Sequence, residues 1–388
     1  MRRARAPCYD LTALGRLLLL VTALVVYASL YPFDFAARDS LEGLLRRWPA
    51  GLDCFALRDI GINVLAYVPL GWFAFLTLAK STSRPGAVLY SVELGAALSA
   101  ALEIAQYFVR TRMSSSLDVL CNTAGAALGA SAAVLSGNAA VRAARRGGIT
   151  LSAPAALLAA WAAHVVFPSA PAIGFTRMAR RWHELAASGP PELVDTAVYA
   201  VYWLAAARLL EAAGVKRVSM ALVLMMALVP ARLLLAGPPL AWSHLAAPAA
   251  AFALWPALER ISRRGAIVAA LSVAAIALSG LAPFRFAEPH GFAWLPFRGA
   301  LDSERTNAVA VLLEKTFVYG AALWLLCDAG IRLRTAGCGL LLLVAALETA
   351  QVYLPGRTPE ITDPLLVTLL ALALARAKRG GGKKTAAG

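Results

Sequence analysis

Stretches of about 20 mostly apolar residues recur along the whole of this 388-residue chain, and no other feature restricts its fold as strongly. A helix rises about 1.5 Å per residue, so about 20 such residues cross the roughly 30 Å of hydrocarbon in a bilayer. Twelve stretches qualify, near residues 14–31, 60–79, 86–108, 117–136, 150–167, 194–210, 217–235, 242–258, 265–282, 309–327, 335–354 and 364–377. Several are short, which leaves ten or eleven open. Inside lipid a backbone must satisfy its own hydrogen bonds, and a helix does so within one segment. The expected fold is therefore all-α, a polytopic transmembrane bundle of about 12 helices. A chain that is 60% hydrophobic and only 15% charged, with mean hydropathy +0.67, is excluded from the soluble globular class.

Charge sets the expected orientation. With the N-terminus and every second loop placed inward, 22 Lys and Arg fall inside against 15 outside, and acidic residues divide 5 inside and 17 outside. That asymmetry is the positive-inside pattern, so both termini are expected in the cytoplasm and the net charge of +15 is mostly topology. Clusters at Arg2, Arg3 and Arg5, at Arg142, Arg145 and Arg146, and at Arg260, Arg263 and Arg264 suit anionic headgroups, and nucleic acid is not an expected partner. The first span is too long for a secretory signal and reads as a retained helix. Five cysteines lack C-x-x-C pairing and four histidines are scattered, so neither a disulfide framework nor a metal site is expected. No cofactor is expected either.

The sequence repeats itself. Ala101 to Asp118 reads ALEIAQYFVRTRMSSSLD and Ala346 to Asp363 reads ALETAQVYLPGRTPEITD, identical without a gap at seven of eighteen positions. Ala227 to His244, ALVPARLLLAGPPLAWSH, keeps the apolar frame but has Val229, Arg232 and His244 in place of Glu, Gln and Asp. YPFDF, VFPSAP and APFRF, beginning at Tyr31, Val166 and Ala282, each open an outer loop. Three four-helix units are expected, 1–146, a degenerate 147–264 and 265–379, with 380–388 a flexible cytoplasmic tail. The outer loop of the first unit has room for an interfacial helix with Leu41, Leu44, Leu45 and Trp48 on one side. Arg180, Arg181 and Trp182 repeat the Arg46, Arg47, Trp48 pattern in the next outer loop.

A glutamate inside a membrane helix costs roughly 2.5–3.5 kcal/mol at the bilayer centre, so Glu103 has to gain something where it sits. Its position about five residues from the end of an apolar run makes it shallow. Glu103 and Gln106 share a face at i, i+3, and Arg112, Asp118 and Asn122 follow on the same hairpin. Asp59 and Asn63 open the preceding span and reach the same layer. The third unit supplies Lys315, Glu348, Gln351, Arg357, Glu360 and Asp363 at comparable depth, with Val367 where Asn122 stood. Asp363 precedes Pro364 as a helix N-cap residue would, which makes capping its first expected role. Gly125 and Gly129 have G-x-x-x-G spacing for close packing, and Pro69 and Gly71 suit a bend in the second helix.

Asp59-x-x-x-Asn63 with Tyr67-Val-Pro69-Leu-Gly71, then Glu103-x-x-Gln106, Arg112 and Asp118-x-x-x-Asn122-Thr-x-Gly125, resemble the pattern of the VanZ-like membrane protein family. The resemblance covers about residues 30–135 well and 283–377 moderately. It implies an integral protein of the bacterial cytoplasmic membrane in a cell-envelope setting, with low-level resistance to the glycopeptide teicoplanin as the associated property. It supplies a family rather than a reaction. Three functions stay open. The first is a non-enzymatic protein that binds or handles an envelope amphiphile, a lipid-linked saccharide or glycopeptide, in an outer pocket beside lipid-facing helices. Asp59, Asn63, Glu103, Gln106, Arg112, Asp118, Asn122, Glu348, Gln351, Arg357 and Asp363 are its candidate ligand-binding residues, and membrane lipids are its expected partners. The second is an enzyme with Glu103 as acid or base on a lipid-linked phosphate or glycosyl substrate, though no nucleophile motif, metal cluster or nucleotide loop accompanies it. The third is an assembly subunit in which the polar layer holds hairpins together.

Overall fold

The computed structural model describes residues 11–36, 57–79, 81–112, 114–145, 152–166, 170–171, 175–227, 229, 235–236, 240–299 and 305–385. Two compact units divide the chain, Met1–Thr150 and Leu151–Gly388, so the segments 147–264 and 265–379 fall almost wholly within the second. Thirteen helices are present among the described residues. Unit 1 contains α1 (Leu11–Leu30), α2 (Leu57–Leu78), α3 (Arg84–Tyr107) and α4 (Ser116–Arg145). Unit 2 contains α5 (Ala153–Val166), α6 (Phe175–Ala187), α7 (Leu193–Ala212), α8 (Val218–Met226), α9 (Trp242–Glu259), α10 (Arg264–Leu281), α11 (Arg305–Asp328), α12 (Leu333–Gln351) and α13 (Thr362–Thr385). Seven helical segments, in α2, α3, α4, α7, α10, α11 and α12, are long and apolar enough to cross a membrane, and the chain is an all-helical integral membrane protein.

In unit 1, α3 starts where Ser83 accepts a hydrogen bond from Gly86 N–H and Pro85 occupies the first turn. Helices α2 and α4 meet closely enough that a Cβ on Gly125 would lie 2.1 Å from the Val64 carbonyl oxygen, and one on Gly129 2.0 Å from that of Val68. Gly71 on α2 reciprocates, its Cβ position falling 2.0 Å from the Ala126 carbonyl oxygen. Glycine at these three sites lets backbone meet backbone, which is how membrane helices associate when lipid is as apolar as the side chains. Gly71 is thus a packing residue.

Unit 2 centres on large buried side chains of α7, α9 and α11, among them Leu209, Trp255, Phe317, Leu323 and Leu325. Trp161 of α5 meets Trp203 edge-on at 4.5 Å and Phe317 at 5.9 Å. The α7–α8 and α11–α12 corners are alike. Val215 N–H donates to Leu210 O and Ile331 N–H to Leu326 O, each at 3.0 Å, around Gly214 and Gly330 at φ +90° and +94°. This is the helix-ending turn in which a left-handed residue favours glycine.

Of the span expected at 217–235, the described residues include the helix Val218–Met226, and Leu235–Ala236 (β2) pairs antiparallel with Ala170–Pro171 (β1). The loop after α5 carries the short charged helix α6, with Leu185 buried, Trp182 exposed and Arg180 and Arg181 near Glu184 at 3.9 and 3.8 Å. The corresponding expectation at Leu41–Trp48 lies outside the described residues.

At the far end of unit 2, four charges from three helices meet. Arg208 on α7 donates to Glu211 at 3.1 Å and to Asp328 on α11 at 2.7 Å, while Arg264 on α10 donates to both oxygens of Glu211, at 2.5 and 3.2 Å.

Candidate functional site

Glu103 is 3% exposed, and what it gains is a main-chain partner: its Oε2 accepts from Ser115 N–H at 2.8 Å, closing the α3–α4 hairpin. Gln106 Nε2 donates to the Ser29 carbonyl at 3.0 Å. Arg112 reaches the same helix end, with Nε on the Tyr31 carbonyl at 2.9 Å and a terminal nitrogen on that of Ala28 at 3.3 Å. The last carbonyls of a helix have no partner of their own, and a guanidinium there supplies donors and a favourable charge.

The same arrangement occurs in unit 2. Glu348, 4% exposed, accepts from Glu360 N–H at 2.7 Å. Gln351 Nε2 donates to the Gly280 carbonyl at 3.1 Å, and Arg357 donates to those of Ala282 at 2.8 Å and Ser279 at 2.5 Å, at the end of α10. Phe33 and Phe284, just past the capped helices, both sit at positive φ, +65° and +59°. The Tyr31–Pro32 and Ala282–Pro283 bonds are both cis.

The second and fourth helices of each hairpin group are tied by a polar pair. In unit 1 Asn63 Nδ2 donates to Asp118 at 2.5 Å, with Asp118 in the first turn of α4. In unit 2 Lys315 donates to one Asp363 oxygen and the Tyr319 hydroxyl to the other, each at 2.5 Å. Asp363 lies in the first turn of α13 rather than at its cap, and both its oxygens serve α11, so the expected capping role gives way to a link between helices. Elsewhere in unit 2, Tyr199 on α7 meets the His244 ring near the start of α9 at 4.8 Å, tilted by 40°, and His244 Nδ1 accepts from Ala241 N–H at 3.1 Å.

One layer deeper the hairpins diverge. Asn122 Nδ2 donates to Ser99 Oγ at 2.8 Å in unit 1. Their counterparts in the ungapped match are Val367 and Val344, both fully buried. An amide–hydroxyl pair is thus exchanged as a set for two apolar side chains. Asp59 lies on α2, one turn before Asn63, and its side chain is outside the described residues.

A cavity of about 440 Å³ opens beside the unit 2 hairpin, lined by Lys315, Tyr319, Glu348, Gln351, Arg357 and Asp363. Asp195, Tyr199 and Tyr202 of α7 and Glu314 of α11, which no motif announced, line it as well. Tyr199, Tyr202, Glu314 and Val318 also border a smaller hollow of about 50 Å³ that includes His164, Val229 and His244. Val229 and His244, the residues in place of Glu and Asp in the middle copy, therefore line a hollow rather than closing a hairpin. Asp195 stands four residues before Tyr199 as Asp59 stands before Asn63, the one signal in the sequence that pointed to α7.

The fold and these hairpins define a class: a polytopic helical membrane protein in which a buried Glu, Gln and Arg close each hairpin onto the end of a preceding helix. Residues 16–137 match the family model described as VanZ/LLP1. The first unit is VanZ-like, in agreement with its motifs. No curated protein and no solved structure matches the chain.

Proposed function

We propose that this protein is a non-enzymatic binding protein of the cell envelope that takes the head group of an amphiphile, a lipid-linked saccharide or a glycopeptide, into the polar cavity of unit 2. The observation that carries the reading is that cavity. At about 440 Å³ it lies in the size range of small-molecule sites, and it combines polar groups with the apolar surfaces of Val318, Val344 and Leu347. The exposed apolar faces of the helices offer a path for an acyl or polyprenyl chain, and the charge asymmetry of the sequence supports a cavity mouth on the extracytoplasmic side of the cytoplasmic membrane.

For unit 1 a second reading is favoured by a specific observation. The donors and acceptors of Glu103, Gln106 and Arg112 named above all serve the main chain, so this trio acts as a staple for the hairpin. Mass spectrometry of lipids that co-purify with wild type, Glu103→Gln and Glu348→Gln, with folded yield measured alongside, tests both readings. Glu348→Gln is expected to change the retained lipid and Glu103→Gln to lower folded yield alone. Wild-type protein that carries only bulk membrane lipid and binds nothing saturably overturns the cavity reading.

A further inference from the structure

The geometry points to a cationic ligand: the unit 2 cavity takes an amphiphile whose head group presents an ammonium, and this rests on the reading of that cavity as a binding site. The inference follows from which polar groups along the wall are already engaged. Lys315 and the Tyr319 hydroxyl are held by Asp363, Arg357 by two carbonyls and the Gln351 amide by a third. Every cation on the wall is thus occupied. Glu314 and Asp195 are not: neither accepts a hydrogen bond or forms an ion pair with any described residue. Leaving aside Glu348, buried in its hairpin contact, the three carboxylates Asp195, Glu314 and Asp363 face two cations, Lys315 and Arg357.

A phosphate entering here would meet an excess of negative charge with no uncommitted cation to receive it. An ammonium meets the reverse. Glu314 and Asp195 offer charge, and the rings of Tyr199 and Tyr202, packed edge to face at 6.2 Å, line the same wall. Carboxylates beside aromatic rings are the recurring means of holding an organic cation, and the attraction strengthens where water is excluded. A bare metal ion is a poorer match, since no three carboxylate, histidine or cysteine side chains among the described residues are grouped to ligate one.

The test uses the full chain in maltoside micelles, with thermal unfolding followed as dodecylammonium or dodecyl phosphate is added. A ligand that binds only the folded state raises the melting temperature in a saturable way. Dodecylammonium is expected to do so and dodecyl phosphate is not. In the double variant Asp195→Asn, Glu314→Gln the apparent Kd for dodecylammonium is expected to rise about tenfold. Equal or stronger stabilisation by dodecyl phosphate, or a double variant that binds the ammonium as tightly as wild type, overturns the charge assignment and leaves the cavity reading standing. If neither probe stabilises but the purified protein retains a specific lipid, the ammonium inference again falls alone; with no specific lipid either, both fall. Should the double variant fail to fold, the contrast between the two probes on wild-type protein decides.

Discussion

Replacing Gly129 with alanine perturbs the crossing of α2 and α4 at its tightest point. The new Cβ would stand 2.0 Å from the Val68 carbonyl oxygen and 2.9 Å from the Trp72 nitrogen, whereas real Cβ atoms essentially never approach within 3.0 Å. The two backbones must therefore part by about 1 Å. The obstacle is main chain on a packed helix, so no rotamer change relieves it. Because Gly125 against Val64 and Gly71 against Ala126 belong to the same crossing, that parting loosens all three contacts. Forcing a methyl into a packed interface of this kind costs about 1–3 kcal/mol. Gly61, earlier on α2, is the control, since its Cβ would meet nothing within 4 Å. There alanine is expected to be neutral or to add up to about 1 kcal/mol through helix propensity. Thermal unfolding of the two purified variants in one detergent, followed by tryptophan fluorescence, measures the difference, at about 2–4 °C per kcal/mol for a region of this size. If Gly129→Ala melts with Gly61→Ala, the close-packed crossing is wrong.

Arg357→Met removes two charge-assisted hydrogen bonds to the end of α10 and is expected to lower stability by about 2–4 kcal/mol in the same assay. Lysine at this position is expected to recover only part of the loss, because a single ammonium does not reproduce the two-pronged contact; full recovery would count against the capping role. Asn122→Val alone strands the Ser99 hydroxyl and should cost about 1–3 kcal/mol. Adding Ser99→Val reproduces the Val344 and Val367 pair and removes the stranded hydroxyl. The double variant is therefore expected to be more stable than the sum of the singles by about 0.5–3 kcal/mol, and strict additivity would refute the pairing.

The helical architecture was readable because lipid imposes a length and a composition on every span, and the duplicated eighteen residues located both Glu, Gln and Arg trios before any coordinates. What they bind was not readable. Gln106, Arg112, Gln351 and Arg357 all engage carbonyl oxygens, and Glu103 and Glu348 engage amides, groups that every residue carries and no pattern of side chains reveals. Arginines with carboxylates nearby read as ion-pair or phosphate partners; the geometry gives Arg357 two carbonyls instead. The α7 part of the cavity wall escaped notice for a different reason. Part of the polar wall comes from α7, where Asp195, Tyr199 and Tyr202 stand in a segment whose motifs have diverged. Motif matching looks for sameness, and this site is built where one copy differs from the others.

The Arg208, Glu211, Arg264 and Asp328 quartet has a consequence for how this bundle can move. Its members sit at the ends of α7, α10 and α11 opposite those that border the cavity, about 20 Å away along α7 by helix rise from Asp195 to Arg208. With two positive and two negative charges knotted together, those three rods are fastened at one tip, while at the other α10 is held by Gln351 and Arg357 and α11 by Asp363. The wall around the cavity is thereby braced at both ends, a frame rather than a hinge.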